Sequence, residues 1–258
     1  MRLLRRVLMW LGRSATDQHS QVAGRRISDR YELATGTMYS RDLDGWHQQR
    51  VAFDQHRAFA ALLEAMRSGN IRRDFQAAAD AIGWTGLDNP LIVEVGCGSG
   101  YNAQVLSYLL HKPIRYIGLD YSQAMVTLGK EVYPLIPLLM ADATALPLPD
   151  NACDILFNGG ALMHILDYTK VVQESHRVSR RWCIFHTVPV LQQLETTVLK
   201  KLAYGGPVVE VIFNESELLE LFADSGLQVR RILENITYDL HSVLGEHTTT
   251  RTYVCEVT

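Results

Sequence analysis

The feature that most constrains the fold is the segment LIVEVGCGSGYNAQV, residues 91–105. Its first five residues are mostly aliphatic and predict a short buried strand. Three alternate glycines follow, Gly96, Gly98 and Gly100, and they predict a turn that is too tight for side chains. Apolar residues at helical spacing begin again at Tyr101. The segment therefore predicts a strand, a glycine turn and a helix, an arrangement that typically grips a nucleotide-like ligand.

Strand and helix patterns alternate from this point almost to the end of the chain. Strands are predicted at 91–95, 114–119, 138–140, 154–157, 182–186, 227–232 and 249–257. Helices are predicted at 101–110, 122–132, 168–178 and 215–225. The pattern indicates a doubly wound α/β fold with a mostly parallel, seven-stranded Rossmann-like sheet. Because no helix precedes the last strand, we expect that strand to be antiparallel.

The remaining sequence predicts a helical extension before this domain. Residues 1–36 start with MRLLRRVLMWLGR, in which leucines share one helical face and arginines the other, and continue as a polar arm. This basic helix either lies in a membrane interface or caps the domain or a dimer. Residues 37–88 read as a helical cap, and residues 89–258 as the ligand-binding domain. Within that domain, residues 188–214 form an insertion on the substrate side.

Bulk composition excludes several classes of protein. The net charge of −3 gives no general attraction to nucleic acid, so no nucleic-acid partner is expected. Four widely spaced cysteines indicate buried thiols, with neither a disulfide framework nor a metal site. No apolar run approaches the roughly 20 residues of a membrane span, and the arginines at the start are unlike a secretory signal. We therefore expect a cytoplasmic protein, with residues 1–13 as a candidate contact to the inner face of the membrane.

The spacing of the glycines narrows the choice of cofactor. A dinucleotide fingerprint requires G-x-G-x-x-G, whereas here the third glycine follows after a single residue. No lysine stands at the position that a nucleoside triphosphate would require. Asp120 lies twenty residues after Gly100 at the end of a predicted strand, where its carboxylate can accept both ribose hydroxyls. Glu94, two residues before the glycines, adds negative charge that would favour a cationic cofactor.

At this point the chain resembles the class I S-adenosylmethionine-dependent methyltransferases, in particular the small-molecule branch that includes the type 11 methyltransferases. The resemblance spans residues 91–233 through VEVGCGSG, YIGLDYSQAM, ADATALPLPDNACDILFNGGALMHIL, VVQESHRVSRRWCIF and FNESELLELFADSGLQV, in that order. It implies S-adenosylmethionine as cofactor and no metal. The implied cofactor contacts are Glu94, Gly96, Cys97, Gly98, Gly100, Asp120, Tyr121, Asp142, Ala143 and Asn158.

Simpler structural roles stay open for three of these residues. Glu94 can brace the turn instead of contacting the cofactor. Asp142 can cap the next turn, and Cys97 can be a small buried filler.

Two histidines are candidate general bases for a hydroxyl acceptor, because the first follows the predicted strand at 154–157 and the second ends the predicted strand at 182–186, both on the active side of the sheet. They are His164 and His186, and each can instead hydrogen-bond a loop.

The chain lacks the Asn-Pro-Pro-aromatic run typical of amine methylation. Short phrases, GWHQQR, HTVPV and FNESEL, resemble methyltransferases associated with cell-surface polysaccharides. The sequence thus predicts O-methylation of a small hydroxylated acceptor, such as a sugar or lipid-linked saccharide. The alternatives are a non-catalytic binding subunit peripheral to the membrane and a dehydrogenase with a variant turn.

Overall fold

The computed structural model of this 258-residue chain describes residues 31–33 and 44–258. The predicted basic helix at 1–13 and most of the polar arm lie outside the described residues. The helices are α1 Gln49–Arg67, α2 Arg73–Trp84, α3 Tyr101–Leu109, α4 Gln123–Val132, α5 Tyr168–Val178, α6 Glu215–Asp224 and α7 His241–Leu244. The strands are β1 Tyr31–Leu33, β2 Leu91–Val95, β3 Arg115–Asp120, β4 Leu138–Met140, β5 Cys153–Asn158, β6 Ser179–Leu191, β7 Thr197–Ala203, β8 Gly206–Asn214, β9 Leu227–Glu234 and β10 Thr249–Val257.

The described strands form one sheet whose centre has the predicted topology. Strands β4, β3, β2, β5 and β6 lie side by side in this order and pair in parallel. Strand β10 runs antiparallel between β6 and β9. The expectation of a mostly parallel, doubly wound sheet with an antiparallel last strand is therefore confirmed, but the predicted count of seven strands is too low, because β1, β7 and β8 extend the sheet.

Both faces of the central strands are buried, as a parallel sheet requires. Val93 and Leu156 belong to the apolar cluster on one face, whereas their neighbours Ile92 and Ile155 belong to the cluster on the other. Because successive side chains of a strand point to opposite faces, continuous apolar runs fill both sides. Helices cover the two faces, and the carboxyl ends of the strands meet at one edge.

The segment predicted as a substrate-side insertion folds as a β-hairpin that extends the sheet. Strands β7 and β8 pair antiparallel, and Val190–Leu191 of β6 run parallel to Phe213–Asn214 of β8. The hairpin turn has positive φ at Tyr204 (50°) and Gly205 (82°), as a two-residue type I′ turn requires. With β1, which pairs with β7, the sheet has ten strands in the described part of the chain.

The helical cap packs against the carboxyl edge of the sheet. Val51 and Ala52 of α1 pack on Met125 of α4. Farther along α1, the Phe59 ring stacks on Tyr101 with centroids 3.8 Å apart. The cap is thereby fixed above the glycine turn. No helix within residues 31–33 and 44–258 is long and apolar enough to span a membrane.

Candidate active site

The three glycines form a tight turn between β2 and α3. Gly96 has a φ of +69°, and a Cβ on it would lie 2.1 Å from the Cβ of Ala161. The Cys97 amide donates to the Leu119 carbonyl at 3.0 Å, which ties the turn to β3. Cys97 itself is fully buried, in agreement with a filler role. The three glycines therefore present backbone without side chains, and their close neighbours include the Ala161 methyl group and the Gln55 amide.

Asp120 joins the glycine turn to the end of β3. Its Oδ2 accepts a hydrogen bond from the Gly98 amide at 2.7 Å, and its Oδ1 accepts one from the Ser122 amide at 2.8 Å. Burial raises the pKa of Asp120, and the two backbone hydrogen bonds oppose that shift. Each carboxylate oxygen keeps a further lone pair. The group is thus held rigidly where it can accept ribose hydroxyls.

Glu94 lies beneath the turn with no exposed surface. Its Oε1 accepts a hydrogen bond from Asn102 Nδ2 at 2.7 Å, and its Oε2 accepts one from the Tyr116 hydroxyl. Burial, with a contribution from nearby Asp120, raises the pKa of Glu94 to about 8. At neutral pH this carboxyl is therefore mostly uncharged, and its hydrogen bonds suit a brace between β2, β3 and α3.

The predicted adenine-side residues follow β3 and β4. Asp142 Oδ1 accepts hydrogen bonds from the amide and the hydroxyl of Thr144, both at 2.8 Å, so Asp142 caps its own turn. Ala143 beside it is 8% exposed. Tyr121 is 42% exposed and meets the His47 ring edge-on, with centroids 4.5 Å apart. These groups surround the carboxyl ends of β3 and β4, where an adenine ring would lie beyond the ribose.

Asn158 ends β5 on the other side of the turn and is fully buried. Its Oδ1 accepts hydrogen bonds from the Ala161 and Leu162 amides at 3.0 and 2.9 Å. Its Nδ2 has no hydrogen-bond partner among the described residues. Buried polar atoms are rarely left unpaired, and a ligand acceptor group would satisfy this one. The glycine cradle, Asp120 and Asn158 together fit a nucleoside with a polar tail.

His164 occupies the short 3₁₀ turn Leu162–His164, between this site and the hairpin. Its Nδ1 lies 2.7 Å from the Val209 carbonyl oxygen. The Trp46 ring packs against it with a centroid distance of 5.0 Å. Burial lowers the pKa of His164, while nearby Glu210 partly opposes the shift. A neutral imidazole that donates through Nδ1 keeps a free lone pair on Nε2.

His186 has a different environment. It is 5% exposed, and its Nδ1 lies 2.9 Å from the Thr252 hydroxyl. Burial lowers its pKa to about 4. A base of this strength takes up a proton poorly near neutral pH. Burial lowers the pKa of both imidazoles, and His164 is the better candidate base because its carbonyl partner fixes the proton on Nδ1 and leaves Nε2 free.

Several polar residues near the site lie outside the motifs that the sequence analysis identified. Trp46 and Gln55 come from the cap, and each has a buried polar atom without a hydrogen-bond partner in the described part of the chain. Lys201 and Glu210 form an ion pair across β7 and β8, with Nζ and Oε2 2.7 Å apart. Tyr238 donates a hydrogen bond to Glu210 at 2.5 Å. The inward position of Gln55 was predictable from the sequence, because Val51, Gln55 and Phe59 are spaced four residues apart on the same helical face.

Comparisons with known proteins show similarity to methyltransferases. Residues 93–185 match the family model described as a methyltransferase domain. A probable S-adenosylmethionine-dependent methyltransferase of Mycolicibacterium smegmatis is 34% identical over 94 residues, which are 36% of this chain and 35% of that protein. The demethylmenaquinone methyltransferase of Shouchella clausii is 32% identical over 122 residues, 43% of this chain and 52% of that protein. The chain thus spans about a third to a half of the length of these curated relatives.

A solved structure extends the likeness of the fold beyond the matched segment. It is the 1,6-didemethyltoxoflavin-N1-methyltransferase of Burkholderia thailandensis with bound 1,6-didemethyltoxoflavin and S-adenosylhomocysteine. The TM-score is 0.55 at 14% identity, with 88% of this chain and 95% of that chain covered. Residues 93–185 therefore match a methyltransferase domain, and the chain has a fold like that of this methyltransferase structure and a segment similar to S-adenosylmethionine-dependent methyltransferases. S-adenosylmethionine is the cofactor of this class of domain.

Proposed function

We propose that the protein transfers a methyl group from S-adenosylmethionine to a hydroxyl of a small acceptor, with His164 as the general base. The observation that carries this proposal is the 2.7 Å contact between His164 Nδ1 and the Val209 carbonyl. Because a carbonyl can only accept, this contact selects the tautomer that bears its proton on Nδ1. Nε2 is then free to accept a proton.

His164 is suited to take a proton while methyl transfer proceeds. The bound cofactor supplies a methyl group that its sulfonium already activates, so the protein contributes mainly alignment, a dry site and proton removal. Nε2 takes the acceptor's hydroxyl proton; the negative charge of Glu210 favours the resulting imidazolium, and the positive charge of its partner Lys201 opposes it in part. His186, whose Nδ1 lies beside the Thr252 hydroxyl, contributes to packing within β6, which continues to Leu191.

The charges around the hairpin turn favour an uncharged acceptor. Tyr204 lies within electrostatic range of Arg72, Asp74 and Lys201. The positive charges of Arg72 and Lys201 are both neutralised by carboxylates. Arg72 Nε donates to Asp74 Oδ1 at 2.6 Å, and Lys201 pairs with Glu210. These paired charges are therefore not free to bind an ionic acceptor, and the exposed Arg50, whose Nη2 lies 3.5 Å from the position of a Cβ on Gly205, pairs with Asp54 at 3.6 Å. The aromatic faces of Trp46 and Tyr204, with ring centroids 6.2 Å apart, suit the apolar face of a sugar.

A lipid-linked saccharide is the acceptor that would give the basic sequence at 1–13 a purpose. Leucines and a tryptophan alternate there with arginines, and such a composition favours anionic membrane surfaces. The protein would then work at the inner face of the membrane. The demethylmenaquinone methyltransferase of Shouchella clausii, to which part of this chain is similar, is named for a small-molecule substrate.

The proposal is tested with methyl-labelled cofactor and an extract of the native cells, which is separated into lipid and aqueous fractions. Label that enters the lipid fraction and is released by mild acid supports a lipid-linked sugar. Label only in the aqueous fraction keeps the methyl transfer and refutes the membrane acceptor. The matched variants are Asp120→Ala, which should bind cofactor poorly, and His164→Ala, which should bind S-adenosylhomocysteine normally but transfer little label. Absence of label with the wild-type protein would instead favour a non-catalytic binding subunit.

A further inference from the structure

Helix α1 places one polar side chain directly against the glycine turn. Val51, Gln55 and Phe59 are spaced four residues apart and share the inward face of the helix. Val51 is fully buried and Phe59 is 9% exposed. Gln55 Oε1 lies 2.9 Å from the position that a Cβ on Gly98 would occupy. The amide of Gln55 thus lies directly over Gly98, one of the three positions in the turn without a side chain.

The carbonyl oxygen of this amide has no partner. Gln55 Oε1 is inaccessible to solvent and receives no hydrogen bond from residues 31–33 or 44–258. Its neighbour His56 is satisfied differently, since His56 Nδ1 lies 3.3 Å from Ser99 Oγ. A buried acceptor without a donor costs stability, and native proteins keep such groups mainly where a ligand supplies the missing bond.

The position of Gln55 indicates which part of a ligand would supply that donor. Gly98 donates to Asp120 at 2.7 Å, so Gln55 and the ribose-binding carboxylate flank the same glycine. In the cofactor the amino-acid tail is joined to the ribose through its 5′ carbon and the sulfur. With the ribose on Asp120, this tail extends over the glycine turn. Its only strong hydrogen-bond donor is the α-ammonium group.

We propose that Gln55 recognises the amino-acid end of the cofactor, with Oε1 accepting a hydrogen bond from the α-ammonium group. This inference rests on the proposed cofactor-dependent function and names a residue outside the family's glycine and acid motifs. It explains why a glutamine stands in an otherwise apolar row of α1.

The test uses two ligands that differ only in the amino-acid part. Binding of S-adenosylhomocysteine and of 5′-methylthioadenosine is measured by isothermal titration calorimetry for the wild type, Gln55→Leu and Gln55→Glu. Gln49→Leu, at an exposed position of the same helix, is the control. We expect Gln55→Leu to weaken S-adenosylhomocysteine about tenfold or more and to leave 5′-methylthioadenosine within about twofold. Gln55→Glu should bind S-adenosylhomocysteine at least as tightly as the wild type, because a carboxylate pairs with ammonium.

Three outcomes would overturn the assignment. An equal loss for both ligands in Gln55→Leu would mean that Gln55 only packs α1 on the turn. A selective loss of S-adenosylhomocysteine in Gln55→Glu would show that the partner is the ligand's carboxylate. An unchanged Gln55→Leu would remove the residue from the site while cofactor binding itself stands. The proposed function, by contrast, fails if the wild type binds neither ligand.

Discussion

Glu94→Gln should change the pH dependence of stability in a defined direction. The carboxyl is fully buried, with Asn102 and Tyr116 as hydrogen-bond partners, and its pKa is raised from 4.5 to about 8. The folded protein therefore binds this proton more tightly than the unfolded chain. The resulting stability is fully present below about pH 4.5 and is lost as the pH rises towards 8. Glutamine has nearly the same shape and does not titrate; its Oε1 can accept from Asn102 Nδ2, and its Nε2 can donate to the Tyr116 hydroxyl oxygen.

The magnitude follows from the linkage relation. Each pH unit between the unfolded and folded pKa values changes the free energy of unfolding by about 1.4 kcal/mol for one group. Between pH 6 and pH 8, wild type should therefore lose about 2 kcal/mol relative to Glu94→Gln. All other titrating groups are common to both proteins, so their contributions cancel in the difference.

The assay is urea unfolding followed by tryptophan fluorescence at pH 6 and pH 8. Glu131→Gln, at an exposed position on α4, is the matched control and should show no pH-dependent difference from wild type. A Glu94→Gln difference that is equal at both pH values would refute the reasoning, because it would mean that Glu94 has an ordinary pKa. A lowered pKa would give the same constant difference, because the carboxyl would then be ionised in both the folded and the unfolded state throughout this range.

Three further changes have definite expected outcomes. Asp120→Ala removes the acceptor of two backbone amides, and we expect at least a hundredfold loss of S-adenosylhomocysteine affinity by calorimetry; wild-type affinity would exclude the ribose role. Gly96→Ala places a methyl group 2.1 Å from the Cβ of Ala161, at a residue with positive φ. The free energy of unfolding measured in urea should therefore fall by about 2 kcal/mol or more, and an unchanged unfolding midpoint would contradict this. Glu210→Ala leaves Lys201 without its ion-pair partner. The free energy of unfolding should fall by about 3 kcal/mol, and the melting temperature measured by calorimetry should fall by several degrees. A variant as stable as wild type would show that the pair is solvated.

The local pattern of the sequence was sufficient to predict the strands of the central sheet. The aliphatic strand before Gly96 and the alternate glycines are consecutive in sequence, so their structure depends mainly on neighbours in the chain. The predicted strands at 91–95, 138–140 and 249–257 match β2, β4 and β10 at both ends. The antiparallel last strand was also predictable, because a parallel partner requires a crossover connection before it.

Other features depended on contacts between residues distant in sequence. Residues 188–214 hold alternating apolar positions, yet the sequence did not indicate that β8 would pair with the end of β6. The choice between His164 and His186 likewise depended on what lies beside each imidazole, the Val209 carbonyl in one case and the Thr252 hydroxyl in the other. Such partners are set by topology and leave no local periodicity.

The sequence by itself determined the order of the parallel α/β elements, the glycine turn, and the acid at the end of β3. Only the tertiary structure decided that α1 lies on the turn with Gln55 against Gly98, and that Lys201 and Glu210 are buried as a pair. The physical reason is that backbone periodicity is a short-range property of the chain. Burial, pKa shifts and unpaired polar atoms arise only when distant segments pack together.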